Sequence, residues 1–328
     1  MTDQLPSDPA AMPLVPLGVS DLRVSRLALG SWRTYERITR ERGISVMQAA
    51  RDAGVNFLDD ARYNDESGTA PIPSGYSEMV FGELFRAAGW QRDETIVSNK
   101  LWWEFWPEET PAQELAGSLR RMGLEYVDLI YSEAPPDGVS LTDAMEMITG
   151  LITAGLARTW GTLSWPPELM DLAWDLAFSN GVPGPVATQP PYSLVTRAVV
   201  EDAAMARVAA ERGIAIVASY TLAGGVLTGK YARDPATGRA AGQLEQPRYA
   251  AGAALGLELA ALATELGGDP AQLAMAFALL NPSVSVVLFG ATTPEQVASN
   301  VASLDIADQL SPADIARLRA IGDPGSSV

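Results

Sequence analysis

The sequence of 328 residues contains no cysteine and no histidine. The absence of cysteine excludes disulfide bonds, thiolate metal sites and a cysteine nucleophile. The absence of histidine removes the commonest protein metal ligand and the usual general base at neutral pH, so we expect no metal site. Any catalytic proton transfer must therefore use tyrosine, lysine, aspartate or glutamate side chains.

Long apolar runs and basic clusters are also scarce. No apolar run reaches the roughly 18 residues of a membrane-spanning helix, and residues 1–13 lack the pattern of a signal peptide. The formal net charge of −17 disfavours binding to a nucleic-acid backbone. We therefore expect a cytoplasmic protein whose partner is a small-molecule substrate rather than nucleic acid or a membrane. Association into a homo-oligomer stays open.

Apolar runs with strand character alternate with stretches of helical periodicity. The strand-like runs are residues 24–29, 56–59, 95–99, 127–131, 159–163, 186–189, 215–220 and 284–288. The helical stretches are residues 44–53, 77–87, 112–122, 141–154, 168–179, 201–212 and 255–266. This alternation is typical of parallel βαβ units.

Eight such units, spaced at about 30 residues, fit a closed barrel better than an open sheet. The first strand is not followed by the G-x-G-x-x-G motif of doubly wound folds. The sequence therefore predicts an α/β fold, a (β/α)8 TIM barrel, as a single domain over residues 1–328, with peripheral segments at 1–20 and 306–328. Two long irregular stretches, residues 64–75 and 231–252, follow strands two and seven, where a barrel places its active face.

Polar side chains follow three neighbouring strands of the predicted barrel. Asp59, Asp60 and Tyr63 come after the second strand, Lys100 ends the third, and Glu133 follows the fourth. A lysine beside a phenol favours the phenolate and so lowers the tyrosine pKa, while a carboxylate anchors the lysine. These residues form a candidate proton-transfer unit. Position alone leaves open a salt bridge between strand ends, with the tyrosine merely packing beside it.

Six segments in this order resemble the aldo-keto reductase family. They are GVNFLDDARY, IVSNKLWW, LRRMGLEYVDLIYSE, WGTLSW, GGVLTGKY and LFGATTPEQVASNVASL. The pattern is most similar to the branch that contains voltage-gated potassium channel β subunits, and the resemblance runs from about residue 22 to residue 304.

The resemblance implies a catalytic tetrad in which Asp59, Tyr63 and Lys100 occupy the family's positions and Glu133 stands where histidine is usual. The spacing from Asp59 to Tyr63 is one residue shorter than in the family, so Asp60 is an alternative partner for Lys100. Tyr76, in the lengthened loop that follows, is an alternative proton donor.

The glutamate at position 133 leaves two chemistries open. A protonated Glu133 would donate a hydrogen bond, and in this family the same exchange is associated with steroid double-bond reductases. The chain is thus expected either to reduce a carbonyl of an apolar or cyclic substrate, with Tyr63 as proton donor, or to reduce an activated C=C or C=N bond. A slow-turnover NADP(H)-sensing regulatory subunit is a further alternative. In another alternative, Glu133 is an inert pocket residue that pairs with Lys100.

The resemblance also implies NADP(H) bound across the barrel mouth. The matching positions are Gly30, Ser31, Trp32, Ser164, Gln189, Tyr220, Leu222, Gly224, Lys230, Gly290, Thr292, Gln296 and Asn300. Tyr220 is expected to stack on the nicotinamide, and Lys230 to approach the pyrophosphate. Arg248, with Arg239 as its alternative, is the candidate for the 2′-phosphate. For Thr292, Gln296 and Asn300, helix capping on a solvated face is the alternative to cofactor binding.

An aromatic cluster follows Lys100, formed by Trp102, Trp103, Phe105 and Trp106. The alternatives are a wall of the substrate pocket and a packed hydrophobic cap. Because the loop adjoins Lys100, we expect Trp102 or Trp106 to line the pocket, which suits an apolar or ring-containing substrate.

Overall fold

A computed structural model describes residues 12–66, 68–232, 234 and 240–322, without the side chains of residues 232, 247, 248 and 251. The outermost parts of the two segments expected to be peripheral, residues 1–11 and 323–328, lie outside the described residues.

Eight parallel strands close into a barrel. The strands in chain order are β1 (Leu14–Pro16), β2 (Arg23–Ser25), β3 (Leu27–Gly30), β4 (Phe57–Asp59), β5 (Ile96–Leu101), β6 (Val127–Ser132), β7 (Ala157–Thr162), β8 (Ala187–Thr188), β9 (Ala215–Ala218) and β10 (Val284–Phe289). The barrel order is β10-β3-β4-β5-β6-β7-β8-β9, with parallel pairing throughout. The predicted (β/α)8 TIM barrel is confirmed.

The first strand-like run, residues 24–29, is two strands rather than one. β2 pairs antiparallel with β1, whereas β3 enters the barrel. The strand is interrupted between β2 and β3 because two hydrogen bonds hold Ser25. Its N–H donates to Asn56 Oδ1 at 2.7 Å, and its hydroxyl donates to Leu27 O at 2.6 Å. Leu17, Leu22 and Val24 of this two-stranded sheet join the buried cluster inside the barrel, so the hairpin closes the barrel's amino end.

Helices cover the outside of the barrel. In chain order they are α1 (Arg40–Asp52), α2 (Tyr76–Ala87), α3 (Pro111–Met122), α4 (Leu141–Thr153), α5 (Pro167–Asn180), α6 (Ala198–Glu201), α7 (Ala203–Arg212), α8 (Pro247–Leu266), α9 (Pro270–Leu279), α10 (Pro294–Val301), α11 (Ser303–Gln309) and α12 (Pro312–Ala320). Side-chain caps start several of them, including the capping box of Thr110 with Gln113 on α3.

Two helical predictions need correction. α8 begins at Pro247, so the end of the stretch 231–252 is helical rather than irregular. α9 was not predicted, because its residues 273–279 are all buried and apolar and so give no amphipathic period. None of the helices in the described part of the chain is long and apolar enough to cross a membrane.

Apolar side chains fill the interior of the barrel from its amino end upward. Phe57, Leu129, Tyr131, Val217 and Val286 are buried there in one cluster with the β1–β2 hairpin. This half of the interior is packed, and a cavity lies towards the carboxyl ends of the strands, where the side chains that end the strands line it.

Candidate active site

A cavity of about 750 Å³ opens at the carboxyl ends of the barrel strands. Its volume lies within the usual range for small-molecule and cofactor sites. The lining residues are Gly30, Trp32, Asp59, Tyr63, Lys100, Trp102, Leu163, Gln189, Ser219, Tyr220, Thr221, Leu222, Gly224, Gly225, Thr228, Lys230, Asp269, Ala271, Leu288, Phe289, Gly290, Thr292, Glu295, Gln296, Ser299 and Asn300.

Lys100 contacts both an acid and a phenol on the floor of this cavity. Its ammonium Nζ donates to Asp59 Oδ2 at 2.7 Å and to Tyr63 Oη at 3.1 Å. Asp59 ends β4 and Lys100 lies in the neighbouring β5, so strand pairing brings the two side chains together. Both are buried, at 2% and 3% exposure. The partner of Lys100 is therefore Asp59 and not Asp60.

The protonation of the pair follows from its surroundings. Burial by itself lowers the pKa of Lys100, but the charges of Asp59 and Tyr63 outweigh burial and raise that pKa above its ordinary value. Burial raises the pKa of Tyr63 above its ordinary value, although the neighbouring Lys100 lowers it. Lys100 has the expected effect of lowering the Tyr63 pKa, but burial is the larger effect and the pKa is raised overall. The phenol keeps its proton at neutral pH and is an acid.

Two further side chains hold Asp59. The Ser98 hydroxyl donates to Asp59 Oδ1 at 2.7 Å, and Gln189 Nε2 donates to the same oxygen at 3.0 Å. Ser98 was not among the sequence candidates. Its position two residues before Lys100 in one strand puts both side chains on the same face, and this spacing is the signal that was missed.

Asp60 lies on the other side of the strand end. It is fully buried and accepts a hydrogen bond from the Ser31 hydroxyl, while its Oδ2 has no hydrogen-bond partner among the described residues. Burial, together with the charge of Glu78, raises the pKa of Asp60 well above its ordinary value. The Ser31 hydroxyl is therefore used in a hydrogen bond to Asp60, and Ser31 does not line the cavity. This is contrary to its predicted place at the cofactor.

Glu133 does not reach the Lys100 site. Its side chain is exposed and lies outside the cavity lining, while its backbone N–H donates to Leu101 O at 3.0 Å. Partial burial and the charge of Glu104 raise the pKa of Glu133. The predicted pairing of Glu133 with Lys100 is wrong, because Lys100 is taken by Asp59 and Tyr63. The structure also does not place the Glu133 carboxyl beside Tyr63.

The alternative proton donor Tyr76 is held elsewhere. It is the first residue of α2, and its hydroxyl accepts a hydrogen bond from Arg40 Nη2 at 3.0 Å. Tyr76 does not line the cavity. Of the two candidate phenols, only Tyr63 lies beside Lys100.

Most of the predicted cofactor positions meet along the cavity. Gly30, Trp32, Gln189, Tyr220, Leu222, Gly224, Lys230, Gly290, Thr292, Gln296 and Asn300 line it. Ser164 does not: it is exposed, and its hydroxyl donates to Gln189 O at 3.4 Å. The side chain of Arg248 and the whole of Arg239 lie outside the described residues.

A glycine turn lies beside Lys230. Gly224 and Gly225 have φ values of +70° and +89° inside the 3-10 segment Ala223–Thr228. A Cβ at Gly224 would lie 2.9 Å from the ring of Tyr249. The N–H of Gly225 is used inside the turn, where it donates to Leu222 O at 2.8 Å. Lys230 lines the cavity beside this turn, and its ammonium suits a phosphate group.

The far end of the cavity lies at the start of α10. Thr292 donates its N–H to Gln296 Oε1 at 2.8 Å, and Thr293 caps the helix. The capping interpretation and the lining interpretation thus both describe real contacts of these residues. The Trp32 and Tyr220 rings, which also line the cavity, are tilted at 56° to each other with centroids 5.9 Å apart. The aromatic pair, Lys230 and the volume of about 750 Å³ suit a dinucleotide.

The aromatic residues after Lys100 divide into two groups. Trp102 lines the cavity, and its ring centroid lies 6.1 Å from that of Tyr63. Trp106 packs edge-on against the buried Trp103 at 5.8 Å and does not line the cavity. Trp102 is therefore the pocket wall, whereas Trp103 and Trp106 form the hydrophobic cap.

Several lining residues were not among the sequence candidates. Asp269 and Ala271 belong to the start of α9, which was not predicted as a helix. Glu295 and Ser299 lie on α10 among residues that were singled out, and a helix turn puts neighbours at this spacing on a shared face. Ser219 directly precedes Tyr220 and could have been found with it.

The comparisons with known proteins agree with this architecture. The model of the Aldo/keto reductase family matches residues 26–323. A probable voltage-gated potassium channel subunit beta of Oryza sativa subsp. japonica is 34% identical over 325 residues, which cover 93% of this chain and 95% of the rice protein. The Arabidopsis thaliana protein of the same description is 30% identical, covering 90% and 92%. A putative voltage-gated potassium channel subunit beta of Schizosaccharomyces pombe is 31% identical, covering 93% and 91%.

Proposed function

Because this chain belongs to the aldo/keto reductase family and is an NADP-dependent oxidoreductase, we propose that it reduces a carbonyl of an apolar or cyclic substrate, with Tyr63 as proton donor. The observation that carries the proposal is the contact of Lys100 Nζ with Asp59 Oδ2 at 2.7 Å and with Tyr63 Oη at 3.1 Å. Carbonyl reduction needs a weak acid that donates a proton to the carbonyl oxygen. A phenol next to a buried ammonium can act as that acid.

The cavity residues would hold NADPH, whose nicotinamide would supply the hydride for the carbonyl carbon. Tyr63 donates its proton to the carbonyl oxygen as negative charge develops there, and the O–H bond of the phenol breaks as the alcohol O–H bond forms. The Lys100 ammonium stabilises the phenolate that is left, and Asp59 holds the ammonium in place. The phenolate then takes a proton from solvent and the site is restored.

The cofactor-holding residues are assigned by their place along the cavity. We propose that Tyr220 and Trp32 bound the nicotinamide and that the backbone of Leu222 and Gly224, with Lys230, holds the pyrophosphate. Thr292, Gln296 and Asn300 would hold the adenosine end. The 2′-phosphate role of Arg248 stays a prediction. The substrate then enters beside Trp102, whose ring packs next to Tyr63 and favours apolar or cyclic carbonyl compounds.

A second candidate is a slow-turnover NADP(H)-sensing subunit, which the names of the relatives as potassium channel subunits favour. Reduction of an activated C=C or C=N bond has less support, because it depended on Glu133 beside Tyr63 and the Glu133 side chain is exposed.

Steady-state oxidation of NADPH with a panel of aldehydes and ketones and a panel of enones separates the three functions. Turnover of the carbonyl compounds, abolished in Tyr63→Phe with NADPH affinity retained, is expected. Turnover of enones alone, or tight NADPH binding with negligible turnover of both panels, would overturn carbonyl reduction in favour of the respective alternative.

A further inference from the structure

We propose that the buried ion pair of Arg62 and Glu114 is a positioning device that sets Tyr63 and Trp102, the two aromatic side chains on the substrate side of the cavity. The inference rests on the proposed function, in which Tyr63 is the proton donor. It adds two residues that touch neither the cavity nor the reacting atoms but determine where the donor and the pocket wall stand.

Tyr63 needs such support because it does not lie on a barrel strand. β4 ends at Asp59, and Tyr63 follows four positions later in the loop. Strand pairing therefore places Asp59 and Lys100 but leaves Tyr63 to be held by its own loop. The residue directly before it, Arg62, has a side chain only 4% exposed. A guanidinium this deeply buried next to the donor fixes the loop if its own partners are fixed.

The most deeply buried partner of Arg62 is a carboxylate on a helix, Glu114. Arg62 Nη2 donates to Glu114 Oε1 at 3.0 Å, and Nη1 donates to Glu109 Oε2 at 2.6 Å. Glu114 lies in the first turn of α3, and its side chain is 3% exposed. The Glu114 carboxylate is attached to a helix and has little conformational freedom. Its contact with Arg62 therefore fixes the loop that carries Tyr63 relative to α3.

The same carboxylate also holds the loop after β5. Glu114 Oε1 accepts the N–H of Trp102 at 3.0 Å, and Glu114 Oε2 accepts the N–H of Trp103 at 3.3 Å. One buried side chain thus joins the Tyr63 loop and the Trp102 loop. The two rings that result lie 6.1 Å apart.

Backbone strain in the second loop shows that this contact is needed. Trp103 has a φ of +58°, a left-handed conformation that is costly for a bulky residue. Its N–H is held by Glu114, and its indole Nε1 donates to Ser132 Oγ at 2.9 Å. The strained turn directs the preceding Trp102 towards the cavity. Loss of the Glu114 acceptor would let the turn relax and move Trp102 away from Tyr63.

The test compares Glu114→Gln, Arg62→Met and Arg62→Lys with wild type. Because a misplaced reacting group costs up to about a hundredfold in rate, we expect kcat to fall roughly tenfold to a hundredfold in Glu114→Gln and Arg62→Met. The Kd of NADPH, measured by quenching of protein fluorescence, should not change, since the cofactor contacts lie on other loops. Arg62→Lys keeps the charge and should restore part of kcat. The pH profile of kcat should also shift, because a displaced Tyr63 loses its contact with Lys100.

Asp128→Asn is a matched control for general destabilisation. The Asp128 carboxylate is 1% exposed, contacts Arg92 at 2.7 Å and Arg158 at 3.0 Å, and accepts the N–H of Val97 at 2.9 Å. It lies near the start of β6, at the opposite end of the barrel. This variant should lower the thermal midpoint while kcat and its pH profile stay as in wild type. A loss of kcat in Asp128→Asn equal to that in Glu114→Gln would overturn the proposal.

The failure of the proposed function is distinguishable from the failure of this inference. If Tyr63→Phe keeps its turnover, the proton donor has been misassigned. If Tyr63→Phe is inactive but Glu114→Gln and Arg62→Met retain wild-type kcat and pH profile, the donor is right and the positioning role is wrong.

Discussion

The hydroxyl of Ser98 donates a hydrogen bond to Asp59 Oδ1 over 2.7 Å, on the opposite side of the carboxylate from Lys100. The two oxygens of Asp59 therefore have different partners. Oδ1 accepts hydrogen bonds from Ser98 and Gln189 inside the barrel, and Oδ2 accepts a hydrogen bond from the Lys100 ammonium. Lys100 is thus oriented through Asp59 by a polar layer next to the apolar interior of the barrel.

Ser98→Ala is expected to lower kcat about tenfold, because a hydrogen bond to a charged group contributes about 1.5–3 kcal/mol and part of that orients Lys100. Ser98→Thr keeps the hydroxyl and is the matched control. Steady-state kinetics with NADPH and a reactive aldehyde measures both. An equal loss in the two variants would show that the strand position, rather than the hydroxyl, is what matters.

The pH dependence of reduction follows from the raised pKa of Tyr63. Reduction needs the protonated phenol, and raising the pKa extends the range in which the phenol is protonated towards higher pH. We therefore expect kcat for reduction to be flat through neutral pH and to fall only above the ordinary tyrosine value of about 10. Alcohol oxidation, which needs the phenolate, should rise with pH instead. A fall in reductive kcat centred near pH 7 would contradict this assignment, and pH–rate profiles of both directions decide it.

The raised pKa of Asp60 leads to a prediction about the stability of the protein rather than about its activity. Its pKa in the folded protein is raised by burial and by the charge of Glu78. Its contribution to stability is therefore fully present below the ordinary aspartate pKa of about 3.9, and is lost as the pH rises towards and through the raised value. Asp60→Asn removes the titration, so its thermal midpoint should exceed that of wild type by more at pH 9 than at pH 5. The difference in unfolding free energy between Asp60→Asn and wild type should therefore grow from pH 5 to pH 9.

Asp52→Asn, at a carboxylate 67% exposed on α1, is the control for the Asp60 experiment. Its thermal midpoint should follow that of wild type at both pH values. A pH-independent difference between Asp60→Asn and wild type would mean that the carboxyl of Asp60 does not change its charge in this range.

The sequence was sufficient to predict the part of the site that depends on strand order. Asp59 and Lys100 end adjacent strands, so their meeting follows from the barrel alone. The same reasoning could not find Glu114, since its contact with Arg62 depends on how α3 docks and not on any local pattern. It also misjudged Glu133, because alignment with a family position gives the place of the backbone but not the direction of the side chain. α9 was missed for a related reason: a helix buried on all sides has no polar face to mark its period.

The glycine turn next to Lys230 is expected to be essential for cofactor binding. In Gly224→Ala the new Cβ would lie 2.9 Å from the ring of Tyr249, at a φ of +70°. We expect the affinity for NADPH to fall roughly tenfold, about 1.4 kcal/mol, because the turn has to shift. Gly242→Ala is the matched control, since Gly242 has the same φ of +70° with nothing within 4 Å of a Cβ. Its strain should lower the thermal midpoint but leave NADPH affinity, measured by fluorescence titration, unchanged.

Glu133 provides the sharpest distinction between the two reduction chemistries. Its side chain is exposed and outside the cavity lining, whereas Lys100 is 3% exposed and contacts Tyr63. We therefore expect Glu133→Gln to keep the kcat for aldehydes close to wild type, because the amide removes the acid but keeps the shape. Lys100→Met should reduce that kcat by about a hundredfold or more, since the phenolate loses its stabilising charge. Assays of both variants with an aldehyde and an enone measure the effect. A loss in Glu133→Gln that is confined to the enone would show that substrate binding draws this carboxyl into the site, and double-bond reduction would then replace carbonyl reduction as the leading function.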